Sequence, residues 1–131
     1  MSEKQIRAKQ IAEQLNNEST KMGDIKKLGK EIKKDHELGL ALWHVGGYQA
    51  RMLATLIFDK ALIDQAFIDE HSSALAEHSE FERNQIADWL LANQLMKSTR
   101  TKDLLESWQD SPINMCRRLF WYHQARLRWT G

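Results

Sequence analysis

The stretch Leu28-Gly29-Lys30-Glu31-Ile32-Lys33-Lys34-Asp35-His36-Glu37-Leu38-Gly39-Leu40-Ala41-Leu42-Trp43, continued by Tyr48-Gln49-Ala50-Arg51-Met52-Leu53-Ala54, decides the fold class. It reads as three short helices joined by tight breaks. Ile25, Leu28 and Ile32 recur at helical spacing and give the first a narrow apolar stripe, over Gly23 to Lys34. Asp35 is placed to cap the second by accepting a hydrogen bond from an otherwise unpaired amide. Leu38, Ala41, Leu42 and Val45 form its expected buried face. Gly46-Gly47 ends it, because glycine tolerates the left-handed backbone that terminates helices. Met52, Leu53, Leu56 and Ile57 carry the third, which ends near Phe58-Asp59. Helices this short need neighbours to cover them.

The same reading extends in both directions. Glu3 to Asn17 is a helix with Ile6, Ile11, Ala12 and Leu15 on one side. A polar break follows at Asn16 to Thr20. Asp64 caps a helix running to about His78, with Phe67, Ile68 and Leu75 toward the core. Ser79 and Glu82 have capping-box spacing and start another, ending near Met96, that buries some combination of Phe81, Ile86, Trp89, Leu90 and Leu95. Lys97 to Arg100 is a turn, and Thr101 to Gln109 a short helix. Ser111-Pro112 is a start signal for a last helix reaching about Arg128. No segment alternates with period two. The expected class is all-α, with antiparallel helix pairs stacked as a HEAT/ARM-like α-α superhelix, or alternatively packed as a compact bundle.

With 131 residues, 42% hydrophobic and 28% charged, the chain is expected to be one domain, residues 1–131, with a real core. The single cysteine, Cys116, cannot form an intramolecular disulfide, which fits a reducing cytoplasm. The N-terminus is polar, and no apolar run approaches the ~20 residues of a membrane helix. The net charge of +1 hides an uneven distribution: +4 over residues 1–34, −7 over 35–96 and +4 over 97–131. Basic ends flank an acidic middle. They are either solvated surface or the borders of a phosphate-binding face.

No chemical motif stands out by spacing alone. His36 and His44, and His71 and His78, could each share a helical face, but no Cys/His set at zinc spacing accompanies them, so no metal or cofactor is expected. His36-Glu37-Leu38-Gly39-Leu40 lacks the second histidine of a zincin. Cys116 has no activating partner in sequence. The C-terminal run Arg117 to Trp129 differs in kind, because it interleaves cations with aromatics. Arg118, Tyr122 and Arg126 fall four apart and share one face, while Leu119, Phe120 and Leu127 can turn inward. It reads as an amphipathic core helix with a solvated arginine face, or as a nucleic-acid clamp with arginines on phosphates and an aromatic on sugar or base.

Taken in order, Lys30-Glu31-Ile32, Asp35-His36-Glu37-Leu38, Leu42-Trp43 and Ala50-Arg51-Met52-Leu53-Ala54 resemble the N-terminal half of the AlkD-like DNA alkylation repair proteins. The likeness runs from about Asp24 to the C-terminus. It implies HEAT-like helical repeats, duplex DNA as partner and excision of N-alkylated purines without a cofactor. In that family an aspartate helps break the glycosidic bond, a tryptophan one turn earlier packs beside the lesion, and an arginine on the next repeat contacts the backbone. Alkylation at N3 or N7 makes the purine a cationic leaving group, so a carboxylate that stabilises the oxocarbenium ion and places a water suffices.

The family's Trp-x-x-x-Asp falls on Phe81-Glu82-Arg83-Asn84-Gln85. Phe81 keeps an aromatic, but Gln85 replaces the aspartate and can supply neither negative charge nor a base. Glu82 is the best remaining carboxylate, so weak or absent glycosylase activity is expected. Arg117 and Arg118 match the basic pair, Arg118 being the expected phosphate contact, with Tyr122 and Arg126 beside it. A reading from another class is a non-catalytic helical module that binds protein. The final helix also carries Leu119, Phe120, Trp121, Leu127 and Trp129 on more than one side, which favours a homodimer through that helix. In the alternative, Trp121 and Trp129 fold back onto the preceding helices.

Overall fold

A computed structural model describes residues 2–130, and among them every regular element is helical. Eight α-helices follow in order: α1 (Glu3–Leu15), α2 (Met22–Ile32), α3 (His36–Val45), α4 (Tyr48–Ile57), α5 (Gln65–His71), α6 (Glu80–Asn93), α7 (Thr99–Glu106) and α8 (Asn114–Thr130). Short 3-10 turns lie at Lys60–Leu62, Ser72–Glu77 and Leu95–Lys97. Among the described residues, no helix is long and apolar enough to cross a membrane. The chain divides into two compact units, one ending at Asp59 and the other beginning at Lys60.

In the first unit α4 is the central element. Ala50, Met52, Leu53, Ala54 and Ile57 are fully buried on it, and α1, α2 and α3 all pack against it. The α2 backbone approaches α4 closely at Gly29, where an added Cβ would meet Leu56 at 2.9 Å. Arg51 is buried on α4, yet it is satisfied: its Nε donates to the Trp43 carbonyl (3.1 Å) and its guanidinium lies 5.5 Å from the Trp43 ring. A buried cation without such partners would be costly.

The junction of α3 and α4 is set by Gly46 and Gly47, with φ of 89° and 93°. Asn16, just past the end of α1, reaches into this junction. Its Nδ2 donates to the Gly46 carbonyl (3.0 Å) and its Oδ1 accepts from the Ala50 amide (3.1 Å). That amide belongs to the first turn of α4, where no intrahelical acceptor exists. A Cβ on Gly47 would lie 2.2 Å from Asn16 Nδ2, so the asparagine takes this position only beside a glycine.

Asp35 caps α3 through the Leu38 amide (3.2 Å), as its position in the sequence implies, and also pairs with Lys4. Partial burial pushes its carboxyl upward, but Lys4, the Leu38 amide and Arg7 together outweigh this and hold it below the usual carboxylate range.

In the second unit Ile63, Ile68, Ile86, Leu91, Leu95, Leu105, Trp108 and Leu119 form the core. Asp64 caps α5, Ser79 caps α6 and Ser98 caps α7, each side chain accepting a backbone amide three residues on. Trp108 donates its Nε1 to Gln65 Oε1 (2.8 Å), and buried Thr101 donates to the Leu95 carbonyl (2.7 Å).

Several expectations shift. α1 ends at Leu15 and α2 at Ile32. The helix expected to reach His78 tightens into a 3-10 turn from Ser72, where two serines compete with the helical ladder. α7 begins at Thr99, inside the expected turn, because Ser98 supplies the cap. α8 begins at Asn114, not at Pro112, since the Ser111 hydroxyl accepts from the Ile113 amide (3.2 Å) and forms a turn ahead of the helix. Val45 and Leu127, placed inward by periodicity, are 46% exposed each, and Phe81 is 63% exposed. Each lies in the first or last turn of its helix.

Replacing Asn16 with alanine removes both bonds at the α3–α4 junction. The expected loss is about 2 kcal/mol of unfolding free energy. Chemical denaturation of the variant beside the parent checks this; an unchanged midpoint would show that the junction holds without the asparagine.

Candidate functional site

The residues picked out by sequence lie on α6 and α8, which pack against each other in the second unit. Residues 81, 85 and 88 follow one another at helical spacing, so Phe81, Gln85 and Asp88 occupy one side of α6. Asp88 is the residue that reaches α8. Its Oδ1 accepts from Arg118 Nη1 at 2.7 Å and its Oδ2 from Nη2 at 3.5 Å, a forked carboxylate–guanidinium pair. The Arg118 guanidinium also lies 5.6 Å from the Tyr122 ring. The Asp88–Arg118 pair joins the two helices and brings Tyr122 beside it, while Phe81 and Gln85 share only the side of α6 that carries Asp88.

Glu82 is placed differently. Its backbone amide donates to Ser79 at the start of α6, and its carboxylate lies 3.1 Å from His78 Nδ1. It stands one position from Phe81, about 100° round the helix, on a row that does not meet Arg118. Arg117 is also committed locally: it donates to the Ser111 carbonyl (2.6 Å) and to Asn114, fastening the start of α8.

A cleft of about 530 Å³ lies between the 3-10 turn at 72–77, the first half of α6 and the start of α8. Its floor is apolar, with Leu75, Ala87, Ile113 and Met115, and its polar lining comes from Ser72, Ser73, Glu80, Arg83, Asn84, Asn114 and Arg118. Arg83 is steadied by donating to the His78 carbonyl (2.9 Å). Two guanidiniums and two amides over an apolar floor suit a polar, planar or anionic group. Glu80 and the nearby Asp88 offset the positive charge, so the lining is mixed, not uniformly basic.

Neither a family model, nor a curated protein, nor a solved structure matches this chain.

Beyond the cleft, α8 presents two unlike faces. Cys116, Leu119, Phe120 and His123 turn inward. His123 Nε2 lies 3.5 Å from Glu106 Oε1, and Gln124 donates to the same carboxylate (3.1 Å), lashing α8 to α7. Burial pushes the Cys116 thiol up to about 11, against a hydrogen bond with Ser111, so at neutral pH it is an unreactive thiol. The outer face carries Trp121, 52% exposed, Tyr122, Trp129, 89% exposed, and the exposed Arg126 and Arg128. Trp121 packs edge-on against Phe120, with ring centroids 5.1 Å apart.

Among the described residues, no group of three His, Cys, Asp or Glu side chains is arranged to hold a metal ion. His36 Nδ1 accepts from the Asp59 amide (3.0 Å), and His71 Nδ1 lies 2.8 Å from the Phe67 carbonyl oxygen. Both imidazoles therefore serve the local backbone.

Sequence reasoning missed Glu80, Arg83, Asn84 and Asn114 as cleft residues, and Asp88 as the partner of Arg118. Asp88 and Arg118 stand thirty positions apart, and no local spacing signals such a pair.

Proposed function

We propose that this chain is a DNA alkylation repair-like protein that binds duplex DNA through the outer face of α8 and has little or no base-excision activity. The observation that carries the reading is the composition and exposure of that face. Arg126 and Arg128 are exposed between Trp121, Tyr122 and Trp129, the pairing of cations for phosphates with aromatic surfaces for sugar or base. Arg118, held by Asp88 and Tyr122, keeps a fixed direction and still has N–H donors beyond the two facing the carboxylate. On this reading the helix pairs are degenerate HEAT-like repeats, and the order of motifs from Lys30 to Ala54 supports the family.

Affinity is expected to be weak and salt-sensitive, because Asp88 and Glu80 offset part of the positive charge near the site. Removing one cation from a phosphate lowers the slope of log K against log salt by about 0.9. Arg126→Ala with Arg128→Ala should therefore flatten the slope by about 2. These two are better probes than Arg117, whose removal would loosen the start of α8. Duplex binding that is indifferent to both substitutions ends the α8 reading.

Excision should be very slow. Gln85 carries no charge, and Glu82 lies against His78. Lack of a positioned carboxylate costs a factor of about 10² to 10⁴ in rate. The assay is chromatographic detection of methylated purine released from an alkylated duplex. Gln85→Asp should raise release above the parent, whereas robust release by the parent would transfer the catalytic role to Glu82 or to the cleft's Glu80.

A second reading, a protein-binding module, is favoured by one observation: Trp121, Trp129 and Leu127 are exposed on a single helix end. Tryptophan and arginine dominate the energetics of protein interfaces. The simplest partner is a second copy of the chain, arranged with two-fold symmetry. Sedimentation at micromolar concentration should then give a dimer that Trp121→Glu converts to monomer. A monomeric parent whose variant sediments identically excludes that partner.

A further inference from the structure

Helix α2 carries a second charged surface that no step above uses. Lys26 and Lys30 lie one turn apart, and Lys27 stands three positions before Lys30, so the three share a face. Asp24 and Glu31 stand three positions before and four after Lys27, so carboxylates flank Lys27, whereas Lys26, Lys30 and Lys33 follow one another at helical spacing with no carboxylate between them. Ile25 and Gly29 turn inward toward α4, and Lys26, Lys27, Lys30, Lys33 and Lys34 are all exposed. Lys34 Nζ lies 4.0 Å from Asp59; among the described residues no ion pair is found for Lys27, Lys30 or Lys33.

The helix ends in an unusual way. Lys33 sits at φ 65°, ψ −148°, while its amide still donates to the Gly29 carbonyl (2.8 Å). Among the described residues it is the only one other than glycine with positive φ. That region of backbone space is nearly restricted to glycine, and a side chain there is strained. The chain breaks glycine's rule here, at an exposed position, with a lysine that continues the basic row past the end of the helix. Where strain persists without a packing role, a functional role is the natural account.

We propose that this lysine face of α2 is a contact surface for the phosphate backbone of duplex DNA, with Lys33 held in a strained conformation to extend it. The inference rests on the DNA-binding reading but not on α8. The argument for the partner is charge and spacing. Lys26 and Lys30 are about 6 Å apart along the helix axis, and each DNA strand carries one phosphate per about 3.4 Å of duplex axis. One helical turn of lysines therefore covers about two phosphates. The face carries no aromatic side chain, so it would fix position on the duplex and read no sequence.

The test uses the full chain and a short mixed-sequence duplex. Lys26→Gln, Lys27→Gln and Lys30→Gln together should flatten the salt slope by up to about 3 and leave the melting temperature near that of the parent. Lys33→Gly should raise the melting temperature by a few degrees while flattening the slope by about 1. Opposite movement of stability and binding in one variant is the signature, since a merely structural lysine would not weaken binding when replaced. If the parent binds duplex and the triple variant binds with the same slope, the inference falls and the α8 reading stands. If the parent does not bind duplex at all, both fall. A fall in melting temperature for Lys33→Gly would refute the strain argument. Equal competition by poly-glutamate at matched charge would overturn the assignment to a nucleic-acid backbone.

Discussion

A helix of about ten residues is marginal in water unless its apolar face is covered. Most elements here are in that range, so packing partners matter more than local preference. In the first unit α4 answers the need: it is nearly uniformly buried and three other helices close over it. Covering it tightly requires backbones to approach, which Gly29 permits beside Leu56. It also requires a sharp return from α3, which Gly46 and Gly47 permit by adopting positive φ. Asn16 then satisfies a carbonyl and an amide that this return would otherwise leave unpaired. The asparagine, the two glycines and the buried α4 form one arrangement, in which each part makes room for or satisfies another.

The arginines near α8 face competing demands. A guanidinium used to fasten a helix start, like that of Arg117, contributes less to a ligand. One paired with a carboxylate, like that of Arg118, brings reduced net charge but a fixed orientation. Fixed donors lose less entropy when they engage a phosphate, whereas a compensated charge attracts it less strongly. On the proposed reading, the balance suits modest affinity with defined geometry. It also explains why formal charge is a poor guide here: the C-terminal segment totals +4, yet part of that charge is already met within the second unit.

Legibility in the sequence followed the range of the interaction. Caps are local, and Asp35, Asp64 and Ser79 stand where the sequence places them because a side chain and an amide three residues apart are enough. The all-helical class was readable from periodicity. Helix ends governed by turns of lower propensity, such as the serines at 72 and 73, were not. Phe81 and Val45 carry the right period for burial and are nonetheless exposed, because periodicity specifies a face but not whether a neighbour reaches it. The cleft was invisible for the same reason. Its lining comes from three segments whose meeting depends on tertiary packing, and Asp88 meets Arg118 only once α6 and α8 are docked.

The two exposed basic surfaces, the outer face of α8 and the lysine row of α2, differ in chemistry. Lysines on flexible stems attract phosphate at long range and tolerate variation in its position. Arginine and tryptophan on α8 require close, oriented contact and lose their advantage at a distance. On the proposed reading, lysines of this kind would serve encounter, and the arginine–tryptophan chemistry would serve engagement. On that reading the strained backbone of Lys33 serves encounter. A charge added to the end of a basic row extends the field of that row even when the side chain touches nothing in the folded protein, so its benefit does not appear among the interactions within the fold.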